Sequence, residues 1–126
     1  MLQSCPMYAY LPAGDVPRAR AFYEQKIGLT PKEENAGGVV YEFADHTGAF
    51  LYPTSNAGTN RASQAFWLVH DIEREVAELK ARGVEFERYD LPGMTFRDGV
   101  HEGVGGKAAW FRDTEGNILA LIQDGK

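Results

Sequence analysis

Asp15-Val16-Pro17-Arg18-Ala19-Arg20-Ala21-Phe22-Tyr23-Glu24-Gln25-Lys26-Ile27-Gly28, and later Asp71-Ile72-Glu73-Arg74-Glu75-Val76-Ala77-Glu78-Leu79-Lys80-Ala81-Arg82-Gly83, give one instruction twice. Each run opens on an Asp, whose short carboxylate accepts from the free backbone N–H groups at a helix start. Each closes on a Gly, which takes the left-handed backbone that stops a helix. Between them lie about three helical turns. In the first, Pro17 falls in the opening turn, where its missing N–H costs little, and Ala19, Phe22, Tyr23 and Ile27 recur at helical spacing. In the second, Ile72, Val76 and Leu79 share a face, and Glu73, Glu75, Glu78, Lys80 and Arg82 form a solvated one. A second echo follows: Phe43-Ala44-Asp45-His46-Thr47-Gly48 answers Phe111-Arg112-Asp113-Thr114-Glu115-Gly116. The chain therefore predicts a duplicated βαβββ-like module, with the seam between halves as a natural ligand site.

Strands fill in around the helices. Met7–Leu11 is apolar at every position, as suits a strand with a helix behind it and a cavity before it. Thr30–Glu34 predicts a short strand, and Gly37-Gly38 a turn into Val39–Phe43. The Asp45–Gly48 turn leads to Ala49–Pro53, and the polar stretch Ser55–Ser63 reads as a connector. Ala65–Val69 opens the second half, with a further strand expected over Val84–Tyr89. Asp90–Gly106 reads as a long loop carrying Met94 and His101, of the kind that often serves as a lid or binding loop. Lys107–Phe111 and Asn117–Gln123 predict the last hairpin. The modules divide as residues 1–60 and 61–126.

Composition narrows the function. The 126 residues are 44% hydrophobic, with seven Phe, six Tyr and two Trp, enough for one compact domain or two half-domains with a shared core. A net charge of −5, with basic residues scattered among acids, argues against nucleic acid. No apolar run approaches a membrane span, and Met1-Leu2-Gln3-Ser4-Cys5-Pro6 lacks the features of a signal peptide, so a cytoplasmic protein is expected. The lone Cys5 excludes an intrachain disulfide.

Asp15 to Tyr23 with Ile27-Gly28-Leu29, then Val69-His70-Asp71-Ile72, Ala81-Arg82-Gly83-Val84 and Phe111-Arg112-Asp113-Thr114-Glu115-Gly116-Asn117, resemble in order and duplication the vicinal oxygen chelate superfamily. That superfamily includes glyoxalase I, extradiol dioxygenases and bleomycin-resistance proteins. The turn departs from its usual pattern in carrying Thr114 where Pro is common. The resemblance implies an α+β fold: two βαβββ modules in tandem, with curled mixed sheets forming a shared cleft and helices on the outer face. It also implies a divalent metal in the enzymes, held by His, Gln and Glu from the inner sheet faces. Carried onto this chain, the ligand positions are Tyr8, one of Ala49, Phe50, Leu51 and Tyr52, then Ala65 and Ala120. None of these is an imidazole or a carboxylate. Shifting the third position by one brings in only Gln64. The expectation is no metal and no cofactor.

Those replacements change the character of the cleft. Ala65 and Ala120 leave room, while Tyr8, Tyr10, Trp67 and Trp110 offer apolar rings with polar tips. Tyr8 and Tyr10 fall on one face of their strand, as do Ala65 and Trp67 on theirs. Trp67 and Trp110 equally suit a plain core. The candidate ligand-binding set is Tyr8, Tyr10, Leu51, Ala65, Trp67, His101, Trp110 and Ala120. His101 stands beside Glu102 and three residues after Asp98, a setting in which an imidazole can act as a base. His46 and His70 read as surface residues. Gly103-Val104-Gly105-Gly106 leads into a strand rather than opening a helix, so it is no phosphate cradle. The expected function is metal-free binding of a small apolar or aromatic molecule, with no catalytic residue assigned. The alternatives are a glyoxalase-like lyase or isomerase acting on a small carbonyl or thiol-conjugated substrate, with His101, Glu102, Tyr8 and Gln64 as candidates, and an interaction protein whose seam serves dimerisation. A homodimer is expected from the resemblance, with neither membrane nor nucleic acid as partner.

Overall fold

The structure, a computed structural model, describes residues 1–125, which divide into two compact units. The first comprises Met1–Thr59 with Thr114–Asn117, and the second the described remainder from Asn60.

In the first unit, strand β1 (Tyr8–Ala13) leads into helix α1 (Val16–Ala21), which widens into a π-helical turn over Phe22–Lys26. Asp15 caps the helix as its sequence predicts: Oδ1 accepts from the Arg18 N–H at 3.1 Å. Strands β2 (Glu33–Asn35), β3 (Gly38–Glu42) and β4 (Gly48–Pro53) complete a sheet of order β1-β4-β3-β2. The β1/β4 pair is parallel and the others antiparallel. Period-two alternation splits this sheet into two faces. Leu11, Ala13, Val39, Tyr41, Ala49 and Leu51 are buried on one of them. Ala19, Phe22 and Tyr23 are buried along the helical segment, and the Tyr23 and Tyr41 rings approach to 6.2 Å. The Tyr41 hydroxyl donates to Glu24 at 2.9 Å, and Glu24 also accepts from Arg20. Burial, then the bond to Glu24, pushes the Tyr41 phenol up.

The second unit repeats the plan. Strand β5 (Ala65–Leu68) leads into helix α2 (Ile72–Ala81), again capped by its Asp: the Asp71 carboxylate accepts from Arg74 N–H at 3.2 Å. Strands β6 (Thr95–Arg97), β7 (Val100–Gly103), β8 (Gly106–Arg112) and β9 (Ile118–Asp124) give the order β5-β9-β8-β7-β6. Here β5 is parallel to β9, as β1 is to β4. Ala109, Phe111, Leu119 and Leu121 are buried on the helix side. On that side the Gln123 side-chain oxygen Oε1 accepts the Ile72 N–H at 2.9 Å. The two mixed sheets with few helices form the α+β architecture that the duplicated caps predict.

Two stretches differ from expectation. Val84–Tyr89 is not a strand: a single bridge joins Phe86 to Phe111, and Glu87 N–H reaches Trp110 O at 2.8 Å. The long loop over Asp90–Gly106 contains the β6–β7 hairpin. Its turn is Asp98-Gly99, both in the left-handed region (φ 52° and 94°), which matches the twist of paired strands. An Asp-Gly pair is the hairpin signal that a reading led by loop composition passes over. Among the described residues, no helix is long and apolar enough to cross a membrane.

Candidate functional site

The face of the first sheet away from α1 carries an aromatic cluster. Register pairs Tyr10 with Phe50 and Pro12 with Tyr52, so Tyr8, Tyr10, Phe50 and Tyr52 share this side. Tyr10 is 63% exposed and Tyr8 38%. The Tyr10 ring meets Phe50 edge-on at 6.2 Å and Tyr52 at 5.0 Å. Phe50 and Tyr52 lie 4° from parallel, 6.3 Å apart. Leu51 lies on the opposite, buried face, because register pairs it with Leu11 and Val39. Its neighbours Phe50 and Tyr52 take the open side. The aliphatic pair Ala49 and Leu51 alternates with the aromatic pair, and this was the available signal for register.

A polar corner borders the rings. Register sets Tyr8, Gly48 and Glu42 in one row across β1, β4 and β3. Gly48 has no side chain, and the Tyr8 ring lies over it: a Cβ there would fall 2.6 Å from Tyr8 Cε2. Beside it, the Glu42 carboxylate accepts from Lys32 Nζ at 2.6 Å. Lys32 holds the Glu42 carboxyl below its ordinary range.

The second sheet presents a different arrangement. Ala65 pairs with Leu119 and Trp67 with Leu121, which puts both on the helix side, where Trp67 stacks on Phe111 at 6.3 Å. The open side of β5 carries Phe66 and Leu68, 62% and 66% exposed. Ala120 and Trp110 are register partners on that open side, with Ala120 buried. His101, paired with Ala108, joins them and is 1% exposed. Rings of Phe96, Trp110 and Tyr89 surround His101 at 4.7, 5.0 and 6.1 Å. Its Nε2 accepts from Tyr89 N–H at 3.0 Å, and its buried Nδ1 has no partner among the described residues. Glu102 is exposed on the other face of β7. His101 thus stands apart from the acid beside it in sequence. His46 and His70 are exposed, as expected.

These donors do not fit a divalent ion. The open faces offer, at or beside the implied ligand positions, Tyr8, Phe50, Tyr52, Phe66 and Ala120. Glu42 is committed to Lys32, and His101 Nε2 to a backbone amide. Among the described residues, no three His, Cys, Asp or Glu side chains gather closely enough to hold a metal.

One carboxylate that composition did not single out is structural. Glu115, in the turn assigned to the first unit, accepts from Arg18 Nε at 2.8 Å and Nη2 at 3.0 Å. It also takes Asp15 N–H at 2.9 Å and the Thr114 hydroxyl at 2.8 Å. Arg18, the largest influence, brings its carboxyl down from the ordinary 4.5 to about 2.

The sequence matches the Glyoxalase/Bleomycin resistance protein/Dioxygenase superfamily over residues 6–121. No curated relative matches the chain. Among solved structures, TnmS3, an antibiotic binding protein from Streptomyces sp. CB03234, has a TM-score of 0.72 at 22% identity, over 99% of this chain and 99% of its own. The glyoxalase/bleomycin resistance protein from Catenulispora acidiphila DSM 44928 has a TM-score of 0.72 at 21% identity, over 95% and 98%. FosX, a fosfomycin resistance protein from Listeria monocytogenes, has a TM-score of 0.65 at 14% identity, over 93% and 90%. At such identities the likeness is one of fold. Two βαβββ-type units in tandem and a match spanning nearly the whole chain establish that this protein belongs to the glyoxalase/bleomycin resistance protein/dioxygenase superfamily.

Proposed function

We propose that this protein binds a flat, largely apolar small molecule on the open aromatic face of its first sheet, without a divalent metal. The observation that carries the reading is the Tyr10–Phe50–Tyr52 cluster, in which Tyr10 is exposed and Phe50 and Tyr52 are half-buried. Aromatic rings in edge and offset contact favour another ring. Covering about 100 Å² of ligand surface contributes roughly 2–3 kcal/mol. That TnmS3 is an antibiotic binding protein is consistent with small-molecule binding on this fold. Leu51, Ala65 and Trp67 lie on the helix sides of their own sheets, and His101, Trp110 and Ala120 in the packed face of the second, so the proposed binding set narrows to Tyr8 and Tyr10 with Phe50 and Tyr52. The exposed Phe66 and Leu68 on edge strand β5 favour a homodimer, and we propose the cytoplasm as its location.

Calorimetric titration of the EDTA-treated protein with naphthalene-sized aromatics tests this reading. Saturable binding that weakens about tenfold in Tyr10→Ala is expected. Binding that appears only after a divalent metal is restored overturns it. Light scattering checks the dimer, and a monomer at micromolar concentration contradicts that part.

A further inference from the structure

A groove of about 930 Å³ runs along the helix side of the second sheet, between α2 and the β6–β7 hairpin and wholly within the second unit. Glu73, Val76, Ala77 and Lys80 line it from the helix, at the spacing that puts all four on one face. The hairpin turn closes one end. Gly99 sits so tightly against α2 that a Cβ there would lie 3.2 Å from Val76 Cγ1 and 3.4 Å from Lys80 Cε. Across the same gap Lys80 Nζ donates to the Asp98 carbonyl at 2.9 Å. At the other end Lys107 Nζ, on β8, reaches Glu73 at 2.8 Å. Between these two braces Val76, Ala77 and Val100 give the groove an apolar interior.

The two ends differ in charge. Lys80 and Arg97 outnumber the Asp98 carboxylate at the turn, whereas Glu73 and Glu102 outnumber Lys107 at the far end, where Glu102 and Lys107 are register partners. Lys80 gives one ammonium proton to Asp98 and has two more to donate. Seven residues of helix separate Glu73 from Lys80, so the two poles lie roughly 10 Å apart along its axis. An extended chain advances about 3.3–3.6 Å per residue, so three residues cover that distance. A molecule of single charge meets one pole only, and a zwitterion of this length meets both.

We infer that this groove binds a short apolar peptide of about three residues by its two free termini, with the ammonium at Glu73 and Glu102 and the carboxylate at Lys80 and Arg97. The apolar side chains lie along Val76, Ala77 and Val100. The groove and the aromatic face belong to different units, so either reading can fail without the other.

The test is calorimetry with trileucine, N-acetyl-trileucine and trileucine amide, on wild type and on variants whose folding is checked by thermal melts. Wild type binds trileucine saturably and each blocked peptide about fivefold more weakly, the worth of an ion pair at a solvated rim. Lys80→Met and Arg97→Gln no longer distinguish trileucine from its amide but still disfavour the acetylated peptide. Arg97→Gln leaves the Lys80 brace in place, which separates loss of charge from loss of the turn contact. Glu102→Gln shows the converse pattern. Amide NMR of the isotope-labelled protein places the trileucine shifts at Ala77 and Val100. Absence of trileucine binding to wild type overturns the inference, as do equal affinities for the three peptides or shifts confined to the first unit. If each blocked end is sensed by the opposite variant, the assignment of the two poles is overturned.

Discussion

The two units follow the same cap-helix-strand plan, with four strands in the first sheet and five in the second, yet they finish their open faces in opposite ways. In the first, Tyr8 and Tyr10 stand exposed beside Phe50 and Tyr52. In the second, the corresponding region is filled by its own chain: His101 and Trp110 are packed among Tyr89 and Phe96. Exposed rings contribute little to stability and are available to a partner, whereas packed rings stabilise the fold and are already in contact. The residues that follow α2, and the β6–β7 hairpin that the first unit lacks, account for the difference.

Substitutions break this comparison in order of effect. Trp110→Ala, in the filled face, is expected to cost about 3 kcal/mol in chemical denaturation, since a large packed ring leaves a cavity. A cost near zero would make the second face as open as the first. Glu115→Gln is expected to cost about 2 kcal/mol by removing a charge-assisted fork from the first unit's turn. The pH dependence follows from linkage. The carboxyl titrates at about 2 when folded and near 4.5 when free, so the unfolded state takes up the proton first. The stabilisation is complete above about pH 5 and disappears as pH falls toward 2. Urea midpoints across that range should fall more steeply for wild type than for Glu115→Gln, and parallel curves would contradict the assignment.

Gly48→Ala sharpens the view of the first face. The added methyl meets the Tyr8 ring and the Tyr41 carbonyl, 2.7 Å away, so a loss of about 1–2 kcal/mol is expected in the same denaturation assay. Tyr10→Ala should be the mildest for the fold, under about 0.5 kcal/mol, because most of the ring is already in water. Its effect is reserved for ligand affinity, and the reverse ranking of Tyr10 and Trp110 would invert the comparison between the faces.

The sequence made the architecture legible because its strongest signals are local. Asp15 and Asp71 cap, Gly28 and Gly83 stop, and both take the predicted backbone. The site was legible in part. Tyr8 and Tyr10 share a face by simple alternation, but the face taken by Ala49–Tyr52 depends on pairing with β1, which lies far off in sequence. A one-residue change of register exchanges Leu51 for Phe50 and Tyr52, and at β5 exchanges Ala65 and Trp67 for Phe66 and Leu68. Glu42 escaped notice because its partner Lys32 is brought to it only by the folded chain. His101 was placed beside Glu102 by sequence and separated from it by strand alternation.

Aromatic-region NMR of the protein in EDTA, titrated with 2-naphthol, addresses the central claim most directly. Binding on the first sheet's open face predicts saturable shifts of the Tyr10, Phe50 and Tyr52 ring resonances, with Trp67 on its helix side unmoved. Shifts that leave those three rings unaffected, or that require an added divalent ion, would contradict it.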